Sequence, residues 1–298
     1  MVAASRSRKA NKASMLVVDD EPDNLDLLYR TFRRDFNVLR AESGKQALDV
    51  LAEHGEVAVI ISDQRMPEMK GTEFLSKTVP EFPDTVRIIL TGFTDVEDLV
   101  DAINAGQVYR YITKPWDPDQ LKHVVDQAAK TYELLKQRGE AIDLSQSQQM
   151  LVTQMAEVAQ TASDVESALP LIAQIIQTAI RCDGCVVQLI DNGSLGGATA
   201  SAGAISAAVL KDDPLVDKAI TDQKIQTCKS TASNPDAKAS ATYCAAGIGT
   251  YCIAPVIFRN EAIAIVALQW KESQEFPSTT QDLALLAAKQ CGLTLACL

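Results

Sequence analysis

The stretch VAVIISDQRMPEMK, from Val57 to Lys70, decides how the N-terminal part of this chain folds. Its first residues, through Ile61, form the short apolar run that is typical of a buried strand. The run ends abruptly at Asp63, and a turn at Met66-Pro67 follows. An aspartate at this point stands where a strand reaches the edge of its sheet, so its carboxylate is placed for chemistry rather than for packing.

Three other apolar runs in this part of the chain end on polar side chains. They are Met15–Val18 before Asp19 and Asp20, Arg87–Leu90 before Thr91, and Tyr109–Thr113 before Lys114. Parallel strands separated by helices present their carboxyl ends along one edge, and open α/β sheets bind ligands at that edge. We therefore expect three carboxylates, a hydroxyl and an amine to lie close together.

Helical patterns fill the segments between the runs. The segment Glu42–Gln46 contains a Ser-x-x-Gln capping box, and Thr94-Asp95 opens a pattern with apolar residues along one face. The apolar residues of the second pattern are Val96, Leu99, Val100 and Ile103. The alternation of strands and helices predicts an α/β fold over residues 14–117, with a doubly wound, five-stranded parallel sheet.

About the first 130 residues resemble a receiver domain of a two-component response regulator. The resemblance rests on Asp19, Asp20, Asp63, Thr91 and Lys114. It implies that Asp63 is the phosphoacceptor, that Thr91 and Lys114 contact the phosphoryl group, and that Thr91 and Tyr111 form the switch. It also implies an Mg²⁺ site made by Asp19, Asp20, Asp63 and the backbone carbonyl of Arg65.

Elementary electrostatics agrees with these roles. Three crowded carboxylates repel one another unless a cation lies among them, and oxygen ligands suit Mg²⁺. An acyl phosphate adds negative charge and strong acceptor oxygens, which a fixed hydroxyl and an ammonium group can satisfy. Arg65 and Phe93 lie two residues after Asp63 and Thr91, at positions that flank the phosphoryl group in receivers.

Composition bounds the rest of the chain. The 298 residues leave room for a second domain, and 47% hydrophobic residues suffice for two cores. No apolar run approaches the roughly 20 residues that span a bilayer, and the N-terminus lacks the apolar segment of a signal peptide. These features predict a cytoplasmic protein without a membrane partner.

Charge argues against nucleic acid as a partner. The formal net charge is −11, and both halves of the chain are acidic. Residues 1–13 carry Arg6, Arg8, Lys9 and Lys12, which we interpret as a short, flexible basic tail.

Residues 118–162 read as a helical linker. The segment Asp117–Gln120 combines a capping aspartate with proline at the first helical position. An apolar stripe with coiled-coil spacing follows at Leu121, Val125, Ala128, Tyr132 and Leu135, is broken near Gly139, and resumes at Leu151, Met155, Val158 and Ala162. The stripe predicts a parallel homodimer through the linker helix, in preference to the alternative that the stripe packs on the next domain.

Residues 163–298 predict an α+β domain. A capping box at Ser163–Glu166 opens a helix, a final helix spans about Ser278 to Cys297, and three strands lie between them at Cys185–Ile190, Tyr251–Phe258 and Ala262–Trp270. With the glycine-rich hairpin at Asn192–Gly197, a helix near Leu215–Thr221 and a polar loop at Asn234–Asp236, this order resembles a GAF domain. The resemblance implies an antiparallel sheet over a small-molecule pocket whose ligand is unknown.

Several ligands are disfavoured by the residues of this GAF-like part. His54 and His123 are the only histidines of the chain and both precede it, so a bilin on a Cys-His pair and a histidine-bound haem do not fit. All seven cysteines fall within it, including Cys182-x-x-Cys185. They read mainly as small buried hydrophobes, with a redox pair or half of a metal site as the alternative.

No kinase, cyclase, phosphodiesterase, P-loop or helix-turn-helix pattern follows the receiver-like part. We therefore interpret the chain as a response regulator that a cognate histidine kinase phosphorylates and that signals through the linker to a ligand- or partner-binding GAF-like domain. Its only expected chemistry is self-phosphorylation and slow self-dephosphorylation, and its downstream protein is unknown. The alternative is a cofactor-bearing redox or light sensor that uses the cysteines, with the receiver as a secondary input.

Overall fold

The computed structural model describes residues 12–92, 108–191, 193–205, 210, 213–231, 237–273 and 275–298, with backbone alone for 237–240. The predicted helix from Thr94, Phe93, the loop Asn234–Asp236 and most of the basic tail lie outside these residues. The chain divides into two units, Met1–Glu140 and Ala141–Leu298. No helix of the described part is both long and apolar enough to cross a membrane.

The first unit contains a five-stranded sheet whose strand order is β2-β1-β3-β4-β5. All four strand pairs are parallel. The strands are β1 (Ser14–Val18), β2 (Asn37–Ala41), β3 (Val59–Asp63), β4 (Val86–Thr91) and β5 (Arg110–Thr113). The connecting helices of the described part are α1 (Pro22–Phe32), α2 (Gly44–His54) and α3 (Gly71–Thr78), followed by α4 (Pro118–Thr161). The expected doubly wound α/β fold is confirmed.

Local caps start two of these helices. Ser43 accepts the Gln46 backbone N–H (3.2 Å) at the start of α2, while the Gln46 side chain accepts the Glu42 N–H (2.7 Å) rather than that of Ser43. At the start of α4, Asp117 Oδ1 accepts the N–H groups of Asp119 and Gln120 at 3.0 and 2.8 Å. Each carboxylate or hydroxyl satisfies backbone donors that the first helical turn leaves free.

The apolar stripe at the start of α4 faces the core of its own unit. Leu121, Val125 and Ala128 are fully buried, and they pack with residues of β1, β3, β4 and α1. Tyr132 is partly buried against the same core. This part of the expected dimer seam was wrong, because the spacing that suits a coiled coil also suits one face of a helix on a sheet.

The second unit is built on an antiparallel sheet with the order β7-β6-β10-β9-β8. Its strands are β6 (Gly184–Asp191), β7 (Ser194–Gly203), β8 (Gln226–Cys228), β9 (Thr250–Phe258) and β10 (Glu261–Trp270). Its helices in the described part are α5 (Val165–Ile180), α6 (Pro214–Asp222), α7 (Ala237–Ala245) and α8 (Ser278–Ala296). The α+β class is confirmed, while β8 and α7 are elements that the sequence pattern did not reveal.

The helix α5 begins one residue later than the capping pattern predicted. Asp164, not Ser163, is the cap, and its carboxylate accepts the Ser167 N–H at 2.8 Å. The Ser167 hydroxyl lies 3.3 Å from the Asp164 N–H, which completes the box. Serine and aspartate both cap helices well. The choice between Ser163 and Asp164 therefore depends on which of them can form reciprocal hydrogen bonds with the residue three positions later.

The sheet of the second unit separates two apolar clusters. One cluster joins α5 and α8 with Leu151, Met155 and Val158 of α4. The resumed stripe of α4 thus packs on the sheet of its own unit, which is the alternative that the sequence left open. The other cluster lies under α6 and α7 and contains the stacked rings of Tyr243 and Tyr251, 4.2 Å apart.

Candidate functional site

Polar side chains meet at the carboxyl edge of the parallel sheet. Asp63 and Thr91 are the last residues of β3 and β4, Lys114 follows β5 directly, and Asp19 follows β1 directly. In the sheet β1 lies next to β3, β3 next to β4, and β4 next to β5. This order brings the predicted residues to one edge, as expected from the strand ends.

Lys114 is the central cation of this edge. Its Nζ lies 2.9 Å from Oδ2 of Asp19 and contacts Oδ1 of Asp63. It also lies 5.7 Å from the centre of the Trp116 ring, within the range of a cation–π contact. Burial alone would lower the pKa of Lys114, but the hydrogen bonds and charges of Asp63 and Asp19 together outweigh it and raise the pKa.

Asp63 is 5% exposed and its carboxylate has two kinds of partner. Oδ1 faces Lys114, and Oδ2 accepts the Arg65 backbone N–H at 2.6 Å. Burial raises the pKa of Asp63, and the charge of Asp19 raises it further, against the opposing influence of Lys114 and the Arg65 N–H. The folded chain therefore binds a proton at Asp63 more tightly than an exposed aspartate would.

Asp19 and Asp20 have different surroundings. Asp19 is fully buried, and it accepts hydrogen bonds from the Glu21 N–H (3.0 Å) and the Asn24 amide (3.1 Å). Asp20 is exposed. The inner acid is thus fixed by the start of α1, while the outer acid is open to solvent.

Thr91 and Tyr111 occupy adjacent strands. Thr91 is 1% exposed, and its hydroxyl donates to the Gly92 carbonyl at 3.1 Å. Tyr111 of β5 pairs with Ile89 of β4, and Thr91 lies two residues after Ile89 on the same strand. Tyr111 is 38% exposed. Residues two apart share a face of a sheet, so the two expected switch residues lie on the same face.

A pocket of about 250 Å³ opens at this edge. Its lining includes Asp20, Asp63, Arg65, Thr91 and Lys114, together with Glu21, Gln64 and Gly92. Within residues 12–92 and the other described ranges, no group of three or more His, Cys, Asp or Glu side chains is arranged to hold a metal ion. Carboxylate and carbonyl oxygens beside the pocket nevertheless form a donor set whose chemistry suits Mg²⁺.

The loop after Asp63 is stabilised by hydrogen bonds of residues that were not predicted from the sequence. The Gly71 N–H donates to the Gln64 carbonyl at 3.0 Å, and the Gln64 side chain accepts the Thr72 N–H at 3.1 Å. A Cβ atom at Gly71 would lie 2.2 Å from the carbonyl oxygen of Asp63. Glycine is therefore required where α3 begins, because the helix touches the backbone of the phosphoacceptor candidate. A glycine four residues after Pro67 was the available signal.

Five cysteines of the second unit are buried, and four of these five lie on one side of its sheet. Cys182, Cys185, Cys252 and Cys291 belong to the same apolar cluster, and none is in a disulfide. Burial raises the pKa of Cys182, Cys252 and Cys291 to about 12, and it raises that of Cys185 well above its ordinary value. Thiols in this state are poor nucleophiles and poor metal ligands near neutral pH.

On the other side of the sheet in this unit, a buried carboxylate accepts hydrogen bonds from α6 and α7. Asp213 is 2% exposed, caps α6 through the Leu215 N–H (2.9 Å), and accepts the Tyr243 hydroxyl at 2.8 Å. Tyr251 also hydrogen-bonds to it. Burial raises the pKa of both tyrosines, so they remain neutral donors to the carboxylate.

Comparison with known proteins identifies the first unit. Residues 15–126 match the model of the response regulator receiver domain. A chemotaxis protein CheY homolog from Campylobacter jejuni is 35% identical over 121 residues, which are 39% of this chain and 92% of that protein. The chain belongs to the response regulator receiver family. Residues 162–296 of this response regulator match the GAF domain model, so the two-domain layout is confirmed.

In longer relatives, the matching region is only a part of the relative's length. The hydrogenase transcriptional regulatory protein HoxA of Cupriavidus necator is 43% identical over 119 residues, covering 40% of this response regulator and 24% of HoxA. The chain thus spans about a quarter of the length of that relative. A solved structure described as adenylate cyclase from Rhodopirellula baltica is 34% identical, with a TM-score of 0.43, and covers 44% of this chain and 97% of that one.

Proposed function

We propose that this response regulator is phosphorylated on Asp63 by a cognate histidine kinase and that it signals through α4 to the GAF domain. The observation that carries the proposal is the position of Lys114, whose ammonium group contacts both Asp63 and Asp19 beside a pocket that also contains Thr91. A nucleophilic carboxylate, a fixed cation and a hydroxyl are the groups that phosphoryl transfer to aspartate requires.

In the proposed reaction an oxygen of Asp63 attacks the phosphorus of a phosphohistidine. The P–N bond breaks, its electron pair stays on the imidazole nitrogen, and an aspartyl phosphate forms. Lys114 balances the added negative charge and Thr91 donates to a phosphoryl oxygen. Attack of water on the phosphorus later releases inorganic phosphate and restores the carboxylate. No other catalytic activity is proposed for the chain.

Asp19, Asp20, Asp63 and the Arg65 carbonyl are the residues that would hold Mg²⁺. When bound, the ion neutralises charge on the transferring phosphoryl oxygens. Asp20 is the exposed acid of the set, and the Arg65 backbone is already fixed by its N–H bond to Asp63. Asp20, Asp63 and Arg65 line one pocket, so the chain's own contribution would be to orient their oxygens around it.

A small phosphodonor provides the test. With acetyl phosphate and Mg²⁺ we expect the intact mass to rise by one phosphoryl group, and we expect Asp63→Asn to abolish the rise. Asp49→Asn, which changes an exposed acid of α2, is the matched control and should label normally. Labelling that survives Asp63→Asn, or that needs no divalent cation, would contradict the assignment.

The second unit is proposed to bind a ligand or a partner protein and to act as the output. Asp63 phosphorylation would draw Thr91 toward the phosphoryl group and let Tyr111 move with it. Because α4 contains residues of both units, a shift of its first turns would be carried along one helix. The redox or light-sensor alternative is not favoured, since the clustered thiols are buried and their raised pKa values oppose reactivity.

A homodimer through the linker is proposed on a narrower surface than the sequence suggested. Leu121, Val125 and Ala128 are buried within their unit. The exposed large apolar residues of α4 are Leu134, Leu135, Ile142 and Val152. Leu135 and Ile142 are seven residues apart, as in one seam of a coiled coil. We also propose that the protein resides in the cytoplasm, which its free thiols support. We propose that it binds neither nucleic acid nor a membrane, and the net charge of −11 supports the first of these. Its downstream partner protein is unknown.

A further inference from the structure

A second charged cluster lies at the opposite edge of the parallel sheet. Glu56 precedes β3 by three residues and Asp84 precedes β4 by two. The same two strands end at Asp63 and Thr91. One pair of strands therefore carries the candidate phosphoryl site at its carboxyl end and a pair of acids at its amino end.

Both acids contact Lys136 of α4. Its Nζ lies 2.6 Å from Oε2 of Glu56 and 3.5 Å from Oδ2 of Asp84. The three side chains are between 25% and 37% exposed, so they are partly screened from water. Lys136 Nζ also lies 5.8 Å from the ring centre of Tyr132, one turn earlier, which packs on the core.

A buried arginine of β4 also acts on the charge of Glu56. Arg87 of β4 is 4% exposed and donates to Thr78 Oγ1 (2.8 Å) and to the carbonyls of Thr85 and Phe82 (2.6 Å each). Its charge interacts with that of Glu56. Glu56 thus pairs directly with Lys136 and interacts with the charge of Arg87, and its Oε1 is buried with no hydrogen-bond partner in the described part of the chain.

The exposure of α4 to solvent increases directly after Lys136. Residues 137–143 of α4 are all exposed, whereas Leu121, Val125 and Ala128 are buried. Among the described residues of the first unit, Lys136 is the last side chain of α4 with an ion pair to the sheet side of that unit. Helix ends and exposed helical segments open locally unless side chains fasten them.

We propose that Glu56 and Asp84 form an ionic clamp on Lys136 that fixes α4 to the receiver domain at the edge away from Asp63. The clamp sets the residue at which the linker becomes free. Because the clamp acids precede β3 and β4 by two or three residues and the phosphoryl site lies at the other end of the same strands, the clamp is also the point at which a shift of these strands reaches the linker. This second statement rests on the proposed phosphorylation of Asp63.

Hydrogen exchange on the full chain tests the clamp. Lys136→Met should accelerate exchange of backbone amides in residues 130–140 by about threefold or more, the size expected for a partly exposed ion pair at the end of a packed segment. Lys136→Arg should restore most of the protection. Lys130→Met is the matched control, because Lys130 is exposed on the same helix, and it should leave the segment unchanged.

Equal protection in Lys136→Met and Lys130→Met would overturn the clamp, and so would acceleration that extends equally to β3 and β4. Glu56→Gln supplies the second route: the double variant with Lys136→Met should exchange no faster than Lys136→Met alone. A charge swap between positions 56 and 136 is unsuitable, because a lysine at 56 would face Arg87.

Beryllofluoride with Mg²⁺, a phosphoryl mimic, tests the link to Asp63. We expect the mimic to alter exchange over residues 130–140 in the wild type and to have less than half that effect in Lys136→Met. Labelling of Asp63 by acetyl phosphate is measured on the same samples. If Asp63 is not labelled, the proposed function fails and the clamp is decided by the variants without the mimic. If Asp63 is labelled but residues 130–140 do not respond, the link is overturned.

Discussion

Lys114 holds its ammonium group 2.9 Å from Oδ2 of the fully buried Asp19, while it also contacts Asp63. One cation therefore compensates two carboxylates that reach the edge from adjacent strands. The two acids are not equivalent, because Asp19 has further donors in Asn24 and the Glu21 backbone, whereas Asp63 faces the pocket. This inequality determines how the site responds to substitution and to pH.

Asp63→Asn is expected to stabilise the receiver unit at pH 7, by up to about 1 kcal/mol. Burial raises the pKa of Asp63 above its ordinary value of 3.8, so the folded chain binds this proton more tightly than the unfolded chain. Stability associated with Asp63 is then greatest at low pH and is lost as the pH rises from 3.8 through the raised pKa. Urea unfolding at pH 7 and pH 4 should show a gain at pH 7 that shrinks at pH 4. A larger gain at pH 4 would contradict the direction of the shift.

Lys114→Gln is expected to destabilise the same unit by about 2–4 kcal/mol at pH 7, because it leaves two buried carboxylates without their cation. The loss should diminish on acidification, because the raised pKa of Asp63 means that protonation removes this charge first. Lys122→Gln, which removes an exposed lysine of α4, is the control for the change in net charge. Urea unfolding at several pH values gives both effects, and equal behaviour of the two variants would argue against the double contact.

Val125→Glu is expected to unfold or severely destabilise the first unit, by about 3–5 kcal/mol or more, because it places a charge in a fully buried position. Leu134→Glu, at a position that is 66% exposed on the same helix, should change stability by less than about 0.5 kcal/mol. Circular dichroism during urea unfolding distinguishes them. Normal stability of Val125→Glu would mean that α4 does not pack on its own sheet.

Ile142→Glu tests the proposed homodimer. Ile142 is 47% exposed, and a charge at this apolar position should weaken a helix pair that uses the Leu135–Ile142 seam. Light scattering should give a dimer mass for the wild type and for Gln148→Glu, an exposed change on the same helix, and a lower mass for Ile142→Glu. A wild-type monomer at micromolar concentration would remove the dimer from the proposal.

Thiol labelling should separate the cysteines into two classes. Cys244 and Cys297 are exposed and should react with iodoacetamide at pH 7.5 in the folded chain. Cys182, Cys252 and Cys291 have pKa values raised to about 12, so their reactive thiolate fraction should be about a thousandfold or more below that of an ordinary thiol. Peptide mass spectrometry reads the pattern. Fast labelling of Cys182 or Cys252 before unfolding would revive the redox alternative.

The parts of the fold that depend on local pattern could be predicted from the sequence. Each of the four strand ends in the first unit follows from an apolar run that stops on a polar residue, and parallel order then brings Asp63, Thr91 and Lys114 to one edge. Such patterns do not show which other element an apolar helix face packs against. Leu121 and Val125 obey coiled-coil spacing and core spacing equally, and the choice between them depends on where the sheet lies.

Other misses have equally physical causes. β8 has three residues, Gln226–Cys228, too few to show a period of two. The contacts of Glu56, Asp84 and Lys136 join residues up to 80 positions apart, and charged residues of this kind look like ordinary surface residues in a sequence. Asp164 replaced Ser163 as the cap because both residue types suit the position, so the pattern left an uncertainty of one residue.

The close approach of Gly71 to the Asp63 carbonyl limits how this protein can be redesigned. An engineer who wishes to alter the entrance to the pocket would naturally vary the short loop between these residues. Because the helix that follows rests on the backbone of Asp63, an inserted residue or a new side chain there would displace the acceptor itself. Variation is better directed to Glu21, which lines the same pocket after a separate strand end and has no role in the proposed Mg²⁺ site.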